Sequence, residues 1–174
     1  LQSALREQLK TTTGNEKRST TNCAPRVSNL KFLNLKLKHQ NGFDLHQKIQ
    51  GEIPCEKIIE TDSEIAFLDI MPCAAGHTLV IPKLEVERLE DLPAEQALSL
   101  MRTMQQVAKA VSTAFDGIDY NLILNNGLNA GQEIAHVHFH VLPRAKGSPR
   151  PFREHVQYAE GEMQEVGAKI RNCL

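Results

Sequence analysis

The chain has 174 residues, 20 lysines and arginines against 21 acids, a formal net charge of −1, 41 % hydrophobic residues and no tryptophan. That length suits one domain with a sizeable core, and the near-neutral balance argues against nucleic acid as a partner. Apolar runs such as residues 78–81 and 122–124 fall far short of the roughly 20 residues that cross a bilayer, so no membrane association is expected.

Residues 1–42 carry eight basic residues against two acids, whereas 43–174 carry twelve against nineteen. The first stretch also holds hydroxyl- and amide-rich tracts at 11–15 and 19–22 and lacks sustained apolar periodicity, so it reads as a basic, flexible extension. The same composition fits an organellar targeting segment; without that role the expected compartment is the cytoplasm, or the nucleus. Cys23, Cys55, Cys73 and Cys173 are scattered with no Cys-x-x-Cys pair, the pattern of free thiols in a reducing compartment.

The domain itself is expected over residues 43–174. The pattern predicts a short helix over 43–50 closed by Gly51, then strands over 58–60 and 65–70 around a polar turn, and a third strand over 78–82. Pro93 sits where a helix would begin. Ala97, Leu100, Met101, Met104, Val107, Ala108, Val111 and Phe115 then recur at three- and four-residue steps, an amphipathic helix ended by Asp116-Gly117. Residues 120–124 are β-rich and run through Asn125-Asn126-Gly127 to Gly131, a loop that returns into a last strand over 136–142. A final helix over 160–171 places Met163, Val166 and Ile170 on one side. Strands, one long helix and a returning hairpin argue for an α+β domain with an antiparallel sheet.

That last strand carries the chemistry. In His136-Val137-His138-Phe139-His140-Val141-Leu142 the histidines occupy alternate positions, so a strand would project the three imidazoles from one face and anchor Val137, Phe139 and Val141 in a core. Metal binding by all three fits poorly, because residues i and i+4 of a strand stand about 13 Å apart. Nucleophilic catalysis at phosphorus fits better: one imidazole attacks, and neighbouring imidazoles, amides and backbone N–H groups hold the phosphate oxygens. Asn125, Gly127, Gly131 and Gln132 lie next door in sequence to do so.

The triad, together with Gly51-Glu52-Ile53-Pro54, Ala66-Phe67-Leu68-Asp69-Ile70, the run from Gly76 to Lys83 and the loop from Asn125 to Gln132, resembles the histidine triad (HIT) family over about residues 43–145, and most closely its Hint branch of nucleotide hydrolases and transferases. The resemblance implies a five-stranded antiparallel sheet with one long and one shorter C-terminal helix, a homodimer, no cofactor, and a phosphoramidase acting on purine nucleotides such as AMP or GMP, with adenosine preferred. It makes His138 the nucleophile toward the α-phosphorus, through a covalent nucleotidyl-histidine. His140 and Gln132 would hold phosphate oxygens, His136 would orient the nucleophile through its carbonyl, and His77 would support the triad. Asp69 would bind the ribose, Leu45, Phe67 and Ile70 would wall the base, and Asn125, Gly131 and Glu133 would complete the nucleotide site.

Two departures from the family pattern matter. Where some relatives carry zinc ligands this chain has Phe43, His46 and Glu64, so no metal is expected. Glu133 stands where animal Hint members have serine, and its carboxylate either turns away from the phosphate or helps protonate the leaving group. Two alternatives remain: hydrolysis of dinucleoside polyphosphates, as in the fragile-histidine-triad branch, and a nucleotide-binding interaction protein with incidental hydrolysis.

Overall fold

The computed structural model describes residues 45–148 and 155–174. The basic extension over 1–42, Phe43 and Cys23 lie outside these described residues, as does the side chain of His46. The elements are α1 (Leu45–Ile49), β1 (Lys57–Glu60), β2 (Glu64–Leu68), β3 (Thr78–Pro82), α2 (Ala94–Ala114), β4 (Asp119–Leu124), β5 (Phe139–Arg144) and α3 (Glu162–Arg171). The strands form one antiparallel sheet in the order β1-β2-β3-β5-β4. This is the expected α+β architecture of five strands, one long helix and a shorter helix near the C-terminus.

Strand alternation divides the apolar residues between two faces. Ala66, Leu68, Val80 and Val141 face α2, whose buried stripe includes Leu100, Met104, Val107 and Val111, and α3 adds Ile170 to the same core. Each of these side chains, fully buried, contributes about 1.5–3 kcal/mol where it is the size of Val or Leu. The odd partners of those residues, Ile65, Phe67, Leu79 and Ile81, form a smaller cluster on the opposite face with Leu45 of α1. Register aligns Phe67 with Leu79, Leu79 with His140 and His140 with Ile123, so a single row crosses four strands on that second face.

Helix α2 stops where expected. Asp116 and Gly117 both take positive φ, 60° and 79°, and the Gly117 N–H donates to the Ser112 carbonyl across the helix end. The loop before β3 turns at Gly76, where a Cβ would lie 2.5 Å from the Phe115 ring, so the turn needs both glycine's φ and its missing side chain. Glu64, at the position compared with a zinc ligand, is buried and accepts from the hydroxyls of Thr61 (2.6 Å) and Thr103 (3.4 Å). It is a capped structural carboxylate between β2 and α2.

One element departs from the sequence expectation. The last strand begins at Phe139, three residues later than its alternation predicts, so only His140 of the three histidines lies within it. The physical reason lies in β3, which ends at Pro82, a residue with no N–H to offer a ladder. The Pro82 carbonyl instead accepts from His136 Nε2 at 2.9 Å, and the Val137 N–H donates to Val86. His136 is thereby pinned to the end of β3 rather than projected alongside its two neighbours.

Candidate active site

A cavity of about 420 Å³ opens on the second face of the sheet, over the row just described. His138 and His140 line it together with His77, which β3 brings from 61 positions upstream of His138. His136 does not line it. The cluster of three imidazoles therefore exists, but its third member is His77.

The hydrogen bonds fix which nitrogen of each ring carries a proton. His138 Nδ1 lies 2.7 Å from the His136 carbonyl oxygen, which can only accept, so Nδ1 is the donor and Nε2 of the neutral ring keeps its lone pair. The Cys73 N–H donates to His77 Nδ1 (3.2 Å), which places the His77 proton on Nε2, 2.9 Å from His140 Nδ1. His140 thus accepts on Nδ1 and presents an Nε2–H donor. The Asp69 carboxylate stands 3.5 Å from His77 Nδ1, close enough to act electrostatically while the Cys73 N–H occupies that lone pair. Burial holds His140 down at about 4, with the neighbouring His77 and His138 adding to the effect. His77 is lowered by burial too, partly opposed by Asp69. Among the described residues the hydrogen bonds leave His138 Nε2 and His140 Nε2 without a protein partner, the first as an acceptor and the second as a donor.

The loop after β4 is braced by Gln132. Its Oε1 accepts from the Gly127 N–H at 2.6 Å, and its Nε2 donates to the carbonyls of Glu87 (2.8 Å) and His136 (3.3 Å). The side chain is buried and spent on these bonds, so it does not line the cavity, where the sequence reading had it holding a phosphate oxygen. Gln132 acts on the same carbonyl that orients His138. Gly127, at φ 100°, brings its backbone against the Arg88 guanidinium, where a Cβ would sit 3.2 Å away.

Other expected residues divide similarly. Asn125, Gly131, Glu133, Asp69 and Leu45 all line the cavity. Asp69 is held by the Met71 N–H, which donates to its Oδ1 at 3.0 Å. Phe67 and Ile70 do not line it: Phe67 is fully buried beneath Lys48, whose Nζ lies 4.8 Å from the ring centroid, and Ile70 is 40 % exposed. Leu79, Ile134 and Lys48 take the wall positions instead. The strand register, Leu79 beside His140, carries the signal for Leu79; Lys48 follows from Leu45 at helical spacing three residues on.

His155 was not anticipated at all. It lines the cavity from the segment before α3, donating from Nδ1 to the Met71 carbonyl at 2.7 Å. Two further bonds fasten that segment to the loop after β2: Val156 N–H to the Pro72 carbonyl (2.8 Å) and Gly76 N–H to the Tyr158 hydroxyl oxygen (3.1 Å). No periodicity marks an isolated histidine as a neighbour of a loop 84 positions earlier.

Asp69, His77 and His140 also form a group whose ligand atoms lie within 4.8 Å of one another. Both His77 nitrogens are already engaged, so an ion there would have to break the Cys73 or the His140 contact. Cys55, Cys73 and Cys173 are free thiols. A larger hollow of about 830 Å³ lies between the start of β4 and the end of β5, lined by residues such as Asp119, Arg144 and Lys146, and contains no histidine. Among the described residues no helix is long and apolar enough to cross a membrane.

Comparison with known proteins agrees with this fold. The HIT domain family model matches residues 50–147. The adenosine 5'-monophosphoramidase of Schizosaccharomyces pombe is 40 % identical over 55 % of this chain and 69 % of its own length. The Arabidopsis thaliana adenylylsulfatase HINT3 is 38 % identical over 72 % of this chain and 66 % of its own. The crystal structure of a Hit-like protein from Bartonella henselae superposes with a TM-score of 0.66 at 38 % identity, covering 74 % of this chain and 93 % of that one. With the family model spanning more than half of its length, the chain belongs to the HIT domain family.

Proposed function

We propose that this protein is a nucleotide hydrolase that cleaves nucleoside 5'-phosphoramidates and related mixed phosphates at the α-phosphorus through a nucleotidyl-histidine intermediate. The observation that carries the reading is the bond from His138 Nδ1 to the His136 carbonyl, which leaves Nε2 as a nucleophile in the cavity. Nε2 attacks phosphorus, the phosphorus–nitrogen bond to the leaving amine breaks, and the amine departs with a proton from the solvent side, where Glu133 lies exposed on the cavity lining. Water then attacks the histidine adduct, releasing the nucleoside monophosphate and restoring the neutral ring.

The His140 Nε2–H is placed to donate to a phosphate oxygen, and being neutral it does so without adding charge to the nucleophile's surroundings. Among the described residues the N–H groups of Glu133 and Ile134, both on cavity-lining residues, have no protein acceptor, and they take over the phosphate contact first expected of Gln132. Asp69 binds the ribose hydroxyls, and Leu45, Leu79 and Ile134 pack on the base. Relatives whose names specify an amine and a sulfate leaving group support a site that recognises the nucleotide and tolerates variation beyond it.

A second copy of the chain is the expected partner, because β4 is an edge of the sheet with Tyr120 and Leu122 41 % and 45 % exposed on it. The decisive experiment is rapid quenching of wild-type protein with an adenosine or guanosine phosphoramidate, followed by mass spectrometry. A nucleotidyl adduct on His138 that disappears in His138→Ala is the expected result; normal turnover by that variant rules the mechanism out.

A further inference from the structure

Lys48 is the lysine in the lining of this cavity. It is 2 % exposed, lies on α1 three residues after Leu45, and lines the cavity with Leu45 and Leu79. Its ammonium sits over the Phe67 ring and, among the described residues, has neither a hydrogen bond nor an ion pair. An aromatic face attracts a cation less strongly than the water the cation gives up on burial, so an amine kept there without a hydrogen-bonding partner is uncompensated. Burial accordingly lowers its pKa, with Asp69 and then Cys55 opposing. An apolar side chain would fill the same space at less cost.

The sheet register says what the amine can reach. Phe67, beneath Lys48, is two strands from His140 along the row, roughly 10 Å at the usual strand spacing. Lys48 is therefore at the far end of the cavity from the phosphate-binding imidazoles. With phosphorus at His138 and the ribose at Asp69, the base occupies the end formed by Leu45 and Lys48, with Leu79 between that end and His140.

A lysine only donates hydrogen bonds. Guanine and hypoxanthine present two adjacent acceptors, O6 and N7, whereas adenine replaces O6 by an amino group that is itself a donor. We propose that Lys48 is a specificity-determining residue that reads the O6/N7 edge of the base and tips this site toward 6-oxopurine nucleotides over adenine nucleotides. The inference rests on the nucleotide-hydrolase reading and reverses the adenosine preference implied by family resemblance.

The test compares kcat/KM for the 5'-phosphoramidates of guanosine, inosine and adenosine in wild-type protein, Lys48→Met and Lys48→Gln. Wild type is expected to favour guanosine and inosine over adenosine by about ten-fold, the scale of one good base-edge contact. Lys48→Met abolishes that ratio, with the larger loss of kcat/KM falling on guanosine and inosine. Lys48→Gln, which offers both an acceptor and a donor, moves the ratio toward adenosine. Inosine tracks guanosine, since the 2-amino group plays no part. Equal ratios in wild type and the variants, or an equal loss on all three substrates, overturn the proposal. If wild type turns over none of them, titration with GMP, IMP and AMP separates the two readings: a Lys48-dependent preference for GMP and IMP keeps the base assignment while the hydrolase reading fails, and its absence ends both.

Discussion

The two faces of the sheet are built from alternate residues of the same strands and obey different rules. On the α2 face Ala66, Leu68, Val80 and Val141 meet a helix stripe and are buried with no polar partner to satisfy. On the other face the row Phe67, Leu79, His140 and Ile123 alternates apolar packing with chemistry, and its polar groups are tied down bond by bond. The first face tolerates exchange of one aliphatic group for another of similar volume. The second holds each ring nitrogen to one role, so small substitutions there change reactivity before they change stability.

Substitutions that touch one face alone separate these rules. The largest effect is expected from His138→Ala, which should lower kcat by at least about 10³-fold in single-turnover assays while moving the melting temperature little. Next comes Leu68→Ala on the helix face: a loss of about 2–5 kcal/mol in urea unfolding, with kcat/KM of the folded fraction unchanged. If that core variant instead impairs turnover at full folding, the two faces are coupled and the contrast fails.

Acid should act on the cavity face. His140 titrates near 4 in the folded protein against an ordinary 6.5, so unfolded chains bind its proton first as pH falls. Its contribution is complete above pH 6.5 and is lost as pH drops from 6.5 toward 4, about 3 kcal/mol at most. Melting curves across that window, compared with His140→Asn, measure it. Gln132→Ala should cost about 1–3 kcal/mol and lower kcat more than it raises KM, because it frees the Gly127 N–H and the loop that holds the His136 carbonyl. The smallest change is expected from Glu133→Gln, whose signature is an altered dependence of rate on leaving-group basicity; an unchanged dependence removes Glu133 from proton transfer.

Much of this was legible in the sequence because it depends on local periodicity. The stripe from Ala97 to Phe115 specified α2, Asp116-Gly117 its end, and the apolar runs over 65–70 and 78–82 the strands β2 and β3. The site was legible where family resemblance pairs a residue with a near neighbour, as with the contact between the His138 ring and the carbonyl two positions back. It was not legible where distant segments compete for a group. Gln132 looked free to bind phosphate until the Glu87 carbonyl claimed its amide, and strand alternation put the His136 ring beside its companions until the Pro82 carbonyl took its Nε2. Phe67 looked like a base platform until α1 laid Lys48 over it.

The strap carrying His155 gives the cavity an order of assembly. All the other walls come from residues 45–142, yet one side waits for a segment made later and fastened back onto residues 71–76. Until residue 155 has been made, that side of the cavity lacks the wall this segment supplies. A product cut short before residue 155 would lose this wall together with α3, whose Ile170 completes the core, so fusions or proteolytic cuts between β5 and the strap should be judged by what they do to both.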